Sequence, residues 1–206
     1  MSPQELQALL GGADIYLLDQ LLRGRIAAGM SIFDAGCGGG RNLAYFLRAG
    51  FAVAGVDSSQ AAITAVRELA ATLAPTLPAT SFRCEPIEKN SFADASFDVV
   101  LSSAVLHFAR DETAFEAQLD GSWRVLRPGG LFFCRLASTI GMAQERFVPL
   151  GGRRFELPDG SRRFLVDEAM LASAAEKIGG ELVDPIKTTV VQDQRCMTTW
   201  VLRKRQ

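Results

Sequence analysis

A glycine-rich segment, Asp34-Ala-Gly-Cys-Gly-Gly-Gly40, lies between a short apolar run and a helix-like stretch. Glycine lets the backbone approach a ligand closely and adopt positive φ without a Cβ clash. Loops of this kind bind phosphates, nucleosides or no ligand at all. A dinucleotide-binding loop has the pattern G-x-G-x-x-G. The spacing here is G-x-G-G-G, and Arg41 occupies the position of the last glycine in that pattern. No Gly-Lys-Ser/Thr follows, so the phosphate-binding patterns are both incomplete.

Two aspartates flank this loop and narrow the kind of ligand it could take. Asp34 immediately precedes the glycines, where a carboxylate would repel a phosphate but suit an ammonium group. Asp57 comes 23 residues later, at the end of the next apolar run. A carboxylate at that place can accept hydrogen bonds from both ribose hydroxyls, or it can cap the following helix. NAD and S-adenosylmethionine both contain such a ribose, so Asp57 alone does not choose between them.

The segments that must position these residues alternate between strand and helix patterns. Short, mostly apolar runs predict five strands, at 31–35, 51–57, 80–84, 97–103 and 131–137. Apolar residues at helical spacing predict helices at 41–49, 60–73 and 112–126. This alternation predicts an α/β fold with a mostly parallel, doubly wound sheet and helices on both faces. The glycine loop and both aspartates then lie at the carboxyl ends of the strands, where such sheets bind ligands.

The two ends of the chain follow different patterns. Gly11-Gly12 separates two short helical patterns, which predicts an N-terminal helical cover over 1–28. After the fifth strand, apolar and charged residues alternate around Pro158-Asp159-Gly160, which predicts a hairpin insertion at 146–166. A helix at 167–178 and two antiparallel strands, at 181–191 and 195–203, complete a seven-stranded sheet with an antiparallel last strand. We expect residues 1–206 to form a single domain.

Composition limits the classes of partner and site. The chain has 206 residues, 48% hydrophobic content and a net charge of −1, which gives no basic field for nucleic acid or an anionic membrane. The first residues lack a signal-peptide pattern, and no apolar run of 18 residues occurs. The four cysteines are widely separated and there is one histidine, so we expect no metal site. A soluble, cytoplasmic protein with reduced thiols is the simplest expectation.

Four motifs in the same order and spacing carry a resemblance to a known family. They are "FDAGCGGGRN", "GVDSS", "SFADASFDVVLSSAVLHF" and "RVLRPGGLFF", and they span about half the chain. Together they resemble the class I S-adenosylmethionine-dependent methyltransferases, a family with a Rossmann-like fold. Within that class, "GCGGGRNLAYFLRAGFAVAGVDSS" is similar to small-molecule methyltransferases of the tellurite-resistance and thiopurine type.

The resemblance implies a binding site for S-adenosylmethionine, whose product is S-adenosylhomocysteine. It assigns the methionine end of the cofactor to the glycine loop and to the end of the fourth strand, and the ribose and adenine to the second and third strands. Arg41 and Asn42 could reach the methionine carboxylate or simply be solvated. The implied cofactor-binding residues are Asp34, Gly36, Cys37, Gly38, Arg41, Asp57, Ser58, Ile87, Glu88, Ser102 and Ser103.

The implied adenine site departs from the family pattern at one position. Pro86 occupies the place where the family often has an aspartate for the adenine amino group. The Ile87 backbone, with Glu85 or Glu88, is the alternative that the sequence offers.

Candidates for catalysis and acceptor recognition are few. His107 is the one histidine and could be a general base, or a half-buried loop residue. Tyr16 could face the acceptor from the N-terminal cover, or simply pack there. Four arginines of the hairpin could form a lid that selects an acidic acceptor, or they could decorate a solvent-facing strand edge. These arginines are Arg153, Arg154, Arg162 and Arg163.

The expected function is methyl transfer from S-adenosylmethionine to a small-molecule acceptor, by a monomer or homodimer. Nucleic-acid amino methylation is disfavoured because Ser102-Ser103-Ala104-Val105 stands where those enzymes carry an Asp/Asn-Pro-Pro-aromatic motif. Two alternatives remain open. The chain could be an NAD(P)-dependent oxidoreductase, or it could bind the S-adenosyl ligand without catalysis.

Overall fold

The computed structural model describes residues 2–206, apart from the side chain of Gln144. Eleven strands and six α-helices were assigned within this range. The strands are β1 (Ser31–Ala35), β2 (Ala52–Asp57), β3 (Phe82–Cys84), β4 (Phe97–Ser103), β5 (Leu126–Ala137), β6 (Val148–Gly151), β7 (Arg154–Glu156), β8 (Arg162–Phe164), β9 (Gly180–Leu182), β10 (Lys187–Val191) and β11 (Arg195–Lys204). The helices are α1 (Pro3–Leu10), α2 (Ile15–Leu22), α3 (Ala44–Arg48), α4 (Gln60–Leu73), α5 (Glu112–Val125) and α6 (Glu168–Ile178).

The main sheet has the predicted α/β architecture. Its strands run in the order β10-β11-β5-β4-β1-β2-β3, and β9 pairs with β11. Strands β1 to β5 are parallel, whereas β11 runs antiparallel to β5, β9 and β10. The strand order reverses between β1 and β4, so the carboxyl ends of these two strands mark the crevice where such sheets bind ligands.

The sheet has eight strands rather than the predicted seven, because the segment at 181–191 divides into β9 and β10. Pro185 lies between them and has no N–H for a ladder hydrogen bond. The neighbouring Asp184 turns its carboxylate to the side chains of Arg25 and Gln20 near α2. This contact bends the chain away from the sheet before β10 begins.

Two helix predictions were wrong at their ends. The helix predicted at 41–49 is reduced to α3, because turns from Cys37 to Gly40 and from Gly40 to Leu43 occupy the preceding residues. The helix predicted at 112–126 ends one residue earlier, at Val125, and β5 starts at once with Leu126. Leu126 pairs with Phe97 on β4, so strand pairing takes over there from the helix.

The hydrophobic core has one cluster on each face of the sheet. Phe33 of β1 faces a cluster with Phe132, Trp200 and residues of α5 and α6. Ile32, its neighbour in sequence, faces the other cluster, which includes residues of α2, α3 and α4. Successive residues of a strand point to opposite faces, so a strand covered on both faces is apolar throughout.

The predicted hairpin insertion is a small three-stranded sheet, because β6 adds to β7 and β8. Phe164 at the end of β8 is buried and stacks on Phe115 of α5 with ring centroids 5.2 Å apart. A parallel bridge between Ser138 and Val166 joins the insertion to the end of β5. The insertion therefore lies beside the carboxyl edge of the main sheet. Within residues 2–206, no helix combines the length and the apolar character needed to cross a bilayer.

Replacement of Gly121 by alanine is expected to destabilise the protein. A Cβ at this position of α5 would lie 2.4 Å from the carbonyl oxygen of Ile87 and 2.8 Å from Cα of Glu88. Such overpacking costs about 1–3 kcal/mol, although alanine is intrinsically better than glycine in a helix. Urea unfolding should therefore show a lower free energy of unfolding for Gly121→Ala. Asp120→Ala, an exposed change in the same helix, should be nearly neutral, and a gain in stability for Gly121→Ala would contradict the packing.

Candidate functional site

A cavity of about 700 Å³ opens at the carboxyl ends of β1, β2 and β4. This volume falls in the range of about 300–1,000 Å³ that is usual for small-molecule sites. The structure brings ten of the eleven predicted cofactor-binding residues together around it, and Ser102 is the exception. The ten are Asp34, Gly36, Cys37, Gly38, Arg41, Asp57, Ser58, Ile87, Glu88 and Ser103.

The glycine loop forms the floor of this cavity. Gly36 has φ of 85° and donates its N–H to the carbonyl oxygen of Val56, which ties the loop to β2. A Cβ on Gly36 would lie 2.7 Å from a methyl group of Val105. Gly38 also has positive φ, and open space surrounds its Cβ position. The loop therefore presents bare backbone to the cavity, as a closely approached ligand requires.

Asp34 places a buried carboxyl group in the wall of the cavity. Its exposed fraction is 2%, and burial raises its pKa to about 7. The Arg41 guanidinium opposes this rise in pKa, while the Asp57 carboxylate adds to it. A cationic group in the cavity would favour the ionised form of Asp34 and would itself be stabilised.

Asp57 ends β2 on the opposite side of the glycine loop. Its Oδ2 accepts the Gly38 N–H at 2.9 Å, and its Oδ1 accepts the Ser59 N–H at 2.9 Å. Ser59 caps α4, so Ser58 is the serine of the pair that lines the cavity. These bonds hold the Asp57 carboxylate at the cavity edge and connect it to the loop.

The segment after β3 forms another wall, with Pro86, Ile87 and Glu88 lining the cavity. Glu85, offered from the sequence as an alternative adenine contact, is turned away. Its two carboxylate oxygens accept from the N–H and hydroxyl of Ser91, each at 2.7 Å. The structure therefore leaves Ile87 and Glu88 in this wall and corrects the alternative that used Glu85.

The end of β4 forms the wall that faces away from β2. Ser103 lines the cavity, but the side chain of Ser102 is fully buried and lies outside it, because successive strand residues point in opposite directions. Ala104 has φ of 64°, an uncommon conformation for a residue with a Cβ. This turn directs Val105 over Gly36.

A polar network joins the N-terminal helices to the same wall. Asp14 is buried and caps α2, and its Oδ2 accepts from Arg135 at 2.8 Å and from the Ser103 hydroxyl at 3.4 Å. Asn42 accepts the N–H of Asp14 at 3.0 Å. Arg41 donates to the carbonyl oxygen of Gly12 at 3.0 Å and contacts Ser103 at 3.5 Å. The cover is therefore docked on the cavity through hydrogen bonds and one buried ion pair.

His107 is buried beneath the loop after β4 and does not line the cavity. Its Nδ1 accepts the backbone N–H of Ala137 at 3.1 Å. Burial lowers its pKa to about 4, helped by the positive charges of Arg163 and Arg135. At neutral pH the ring is uncharged, and its one free lone pair is used by Ala137. This arrangement favours a structural role for His107 over the general-base role.

Tyr16, in the first turn of α2, reaches the far edge of the sheet. Its hydroxyl forms a 2.6 Å hydrogen bond with the Thr189 hydroxyl of β10. Its ring lies 5.3 Å from the Arg135 guanidinium. Tyr16 does not line the cavity, and these contacts give it a packing role.

Sequence reasoning missed several residues around the cavity. Asp14 and Arg135 are 121 positions apart, and their pairing has no local signal. Arg135 is nevertheless a single charge in the apolar run "LFFCRLA", a pattern that could have identified it. Ala104, Phe108 and Gln118 line the cavity without any distinguishing spacing.

Comparison with known proteins places the chain among similar sequences and folds. A sequence family described as "Methyltransferase domain" matches residues 33–134. A ubiquinone biosynthesis O-methyltransferase of Methylobacterium nodulans is 31% identical over 161 residues, which cover 75% of this chain and 61% of that protein. The chain thus spans less than two thirds of this curated relative.

Two solved structures have the same fold. An S-adenosylmethionine-dependent methyltransferase from Methanosarcina mazei has a TM-score of 0.72 at 20% identity, covering 90% of this chain and 97% of that one. The 1,6-didemethyltoxoflavin-N1-methyltransferase of Burkholderia thailandensis, solved with bound 1,6-didemethyltoxoflavin and S-adenosylhomocysteine, has a TM-score of 0.71 at 21% identity. The match covers all of this chain and 92% of that one.

Replacement of Asp34 by asparagine is expected to change how stability depends on pH. Between about pH 4 and pH 7, the folded protein keeps a proton on Asp34 that the unfolded chain has lost. The free-energy contribution of Asp34 to stability therefore decreases as the pH rises through this window. Relative to the wild-type protein, Asp34→Asn should gain on the order of a few kcal/mol between pH 4 and pH 7. Urea unfolding across this range measures the difference. Asp120→Asn should show a constant difference, and a constant difference for Asp34→Asn would refute the shifted pKa.

Replacement of His107 separates its structural role from a catalytic one. In His107→Leu, the buried N–H of Ala137 loses its acceptor, at a cost of about 1–3 kcal/mol in the free energy of unfolding. In His107→Asn, the amide oxygen can replace Nδ1, so most of that stability should return. We expect His107→Asn also to retain any methyl-transfer activity of the wild-type protein. Loss of activity in a stable His107→Asn variant would assign the histidine to catalysis.

Proposed function

We propose that this chain is a class I S-adenosylmethionine-dependent methyltransferase and that it transfers a methyl group from S-adenosylmethionine to a small-molecule acceptor. The observation that carries this proposal is the convergence of Asp34, the bare glycine loop and Asp57 on one cavity. S-adenosylmethionine has an ammonium group that suits the Asp34 carboxylate and a ribose diol that suits the Asp57 carboxylate, and the bare loop lets its aminoacyl chain approach the backbone.

The residues of the cavity fit this ligand in charge as well as in composition. Asp34 is buried with a raised pKa, so a cation beside it would restore its ionised form. Gly38 has open space where a Cβ would stand, which leaves room for a ligand against the loop. The Asp57 carboxylate sits at the cavity edge with lone pairs beyond those used by Gly38 and Ser59.

Each residue would then contribute binding or orientation. Asp34 would hold the ammonium, Asp57 would accept from the ribose hydroxyls, and Ile87 and Glu88 would border the adenine. Arg41 would attract the methionine carboxylate from its place beside Ser103. S-adenosylmethionine itself supplies an activated methyl group, so the protein's contribution is positioning and exclusion of water. We assign no general base, because Nδ1 of His107 already accepts the backbone N–H of Ala137.

The acceptor is a small molecule in this proposal. The named relatives support that class, since one acts in ubiquinone biosynthesis and one structural neighbour holds 1,6-didemethyltoxoflavin. The similarity to tellurite-resistance and thiopurine methyltransferases stays a prediction, because the ubiquinone-biosynthesis relative and the toxoflavin-related neighbour carry other names. A cytoplasmic location and a monomeric or homodimeric state are also predictions.

The two alternatives make different demands on the same cavity. An NAD(P)-dependent oxidoreductase would place a pyrophosphate on the loop, next to the buried carboxyl of Asp34 and with Arg41 in place of the last glycine. Both features disfavour it. A non-catalytic binder would use every contact named above, so detection of a methylated product is what separates it from an enzyme.

Replacement of Asp57 by alanine tests the proposed site. Two charge-assisted hydrogen bonds to the ribose contribute about 1.5–3 kcal/mol each, so the dissociation constant for S-adenosylhomocysteine should rise about 100-fold or more. Isothermal titration measures this change. Glu68→Ala, an exposed acid on α4, should bind as the wild-type protein does. If the wild-type protein fails to bind either S-adenosyl ligand at sub-millimolar concentration, the proposed function is wrong.

A further inference from the structure

We propose that the methyl acceptor is a planar aromatic molecule with an anionic group, held at the mouth of the cavity by Phe108 and Arg163. This inference rests on the proposed function and adds the chemical class of the acceptor. It concerns binding and orientation and adds no step to the reaction.

Phe108 gives the mouth of the cavity an exposed aromatic surface. It follows the strained turn after β4 and lines the cavity, yet 61% of the residue is exposed. Its neighbours Leu106 and Ala109 are buried, so the ring of Phe108 is the exposed apolar group of this segment. An exposed ring beside a cofactor cavity offers a face on which another planar ring can stack.

Arg163 of β8 places a guanidinium on that ring. Its Cζ lies 4.7 Å from the centroid of the Phe108 ring, and its Nη1 donates to the carbonyl oxygen of Arg162 at 2.8 Å. An arginine has five N–H donors. The guanidinium is thus fixed in position by a stacking contact and one hydrogen bond, and it keeps donors for a ligand.

Two of the other three hairpin arginines are paired with carboxylates, whereas the third, Arg154, resembles Arg163 in having no ion pair within residues 2–206. Arg153 is paired with Asp167 and Glu112, and Arg162 with Glu156. Within the described part of the chain, Arg163 has no carboxylate at ion-pair distance. A half-buried guanidinium on an aromatic ring is a recognition element for carboxylates and other planar anions.

Two arginines act on the surroundings of His107. Arg135 and Arg163 both act on the histidine, which is uncharged at neutral pH and cannot offset either of them. Asp14 neutralises Arg135 at 2.8 Å, which leaves the charge of Arg163 uncompensated. An anionic ligand on Phe108 would supply the missing negative charge, whereas a cationic ligand would be repelled.

The experiment compares two aromatic probes that differ in charge and little in shape. The protein is saturated with S-adenosylhomocysteine, and the binding of 2-naphthoate and of 2-naphthamide is followed by probe fluorescence. We expect the acid to bind at least ten-fold more tightly than the amide. In Arg163→Gln, this preference should fall to about two-fold or less, while binding of S-adenosylhomocysteine stays unchanged.

Two further variants separate specific recognition from a general effect of charge. Arg162→Gln removes an arginine one residue away that is exposed and paired with Glu156, so the preference for the acid should remain. Phe108→Leu removes the ring, so both probes should bind more weakly. The inference is overturned if the wild-type protein binds acid and amide equally, if neither probe binds, or if Arg163→Gln keeps the preference. Failure to bind S-adenosylhomocysteine in the first step would instead refute the proposed function.

Discussion

Close approach of backbone segments at a few glycines is the constraint on which the cavity depends. A Cβ on Gly55 of β2 would lie 3.0 Å from the carbonyl oxygen of Asp34 and from Cβ of Cys37. At Gly36 and Gly121 a Cβ would meet Val105 and the Ile87 backbone at still shorter distances. These contacts fix the loop against β2, the turn after β4 against the loop, and the segment after β3 against α5. The walls of the cavity are thereby held where bare glycine backbone packs closely on neighbouring main-chain and side-chain atoms.

The parts of the fold predicted well from the sequence are those set by short-range patterns. Strands β1 and β4 and helix α4 have their predicted bounds, because a continuous apolar run or a capped amphipathic stripe determines each locally. The glycine spacing, Asp34 and Asp57 are also short-range signals at strand ends, and they predicted where the cavity lies. Parallel pairing of β1 with its neighbours then brings these residues together.

The parts that escaped prediction depend on contacts between distant segments. Asp14 caps α2, yet its partner Arg135 lies at the end of β5. The break between β9 and β10 depends on Asp184 meeting Arg25 near α2. For His107, sequence identifies a titratable ring near the cavity, but burial and the N–H of Ala137 decide its protonation and its role.

The attachment of the small sheet of β6 to β8 has a consequence for how this protein can diversify. The sheet joins the main body at Ser138 and Val166 and through Phe164, and it shares none of the ten predicted cofactor residues. Mutations in it can alter the mouth of the cavity while the glycine loop and Asp57 stay intact. Under the proposed function, changes in this peripheral module would alter recognition of the acceptor and leave the contacts proposed for the methyl donor in place.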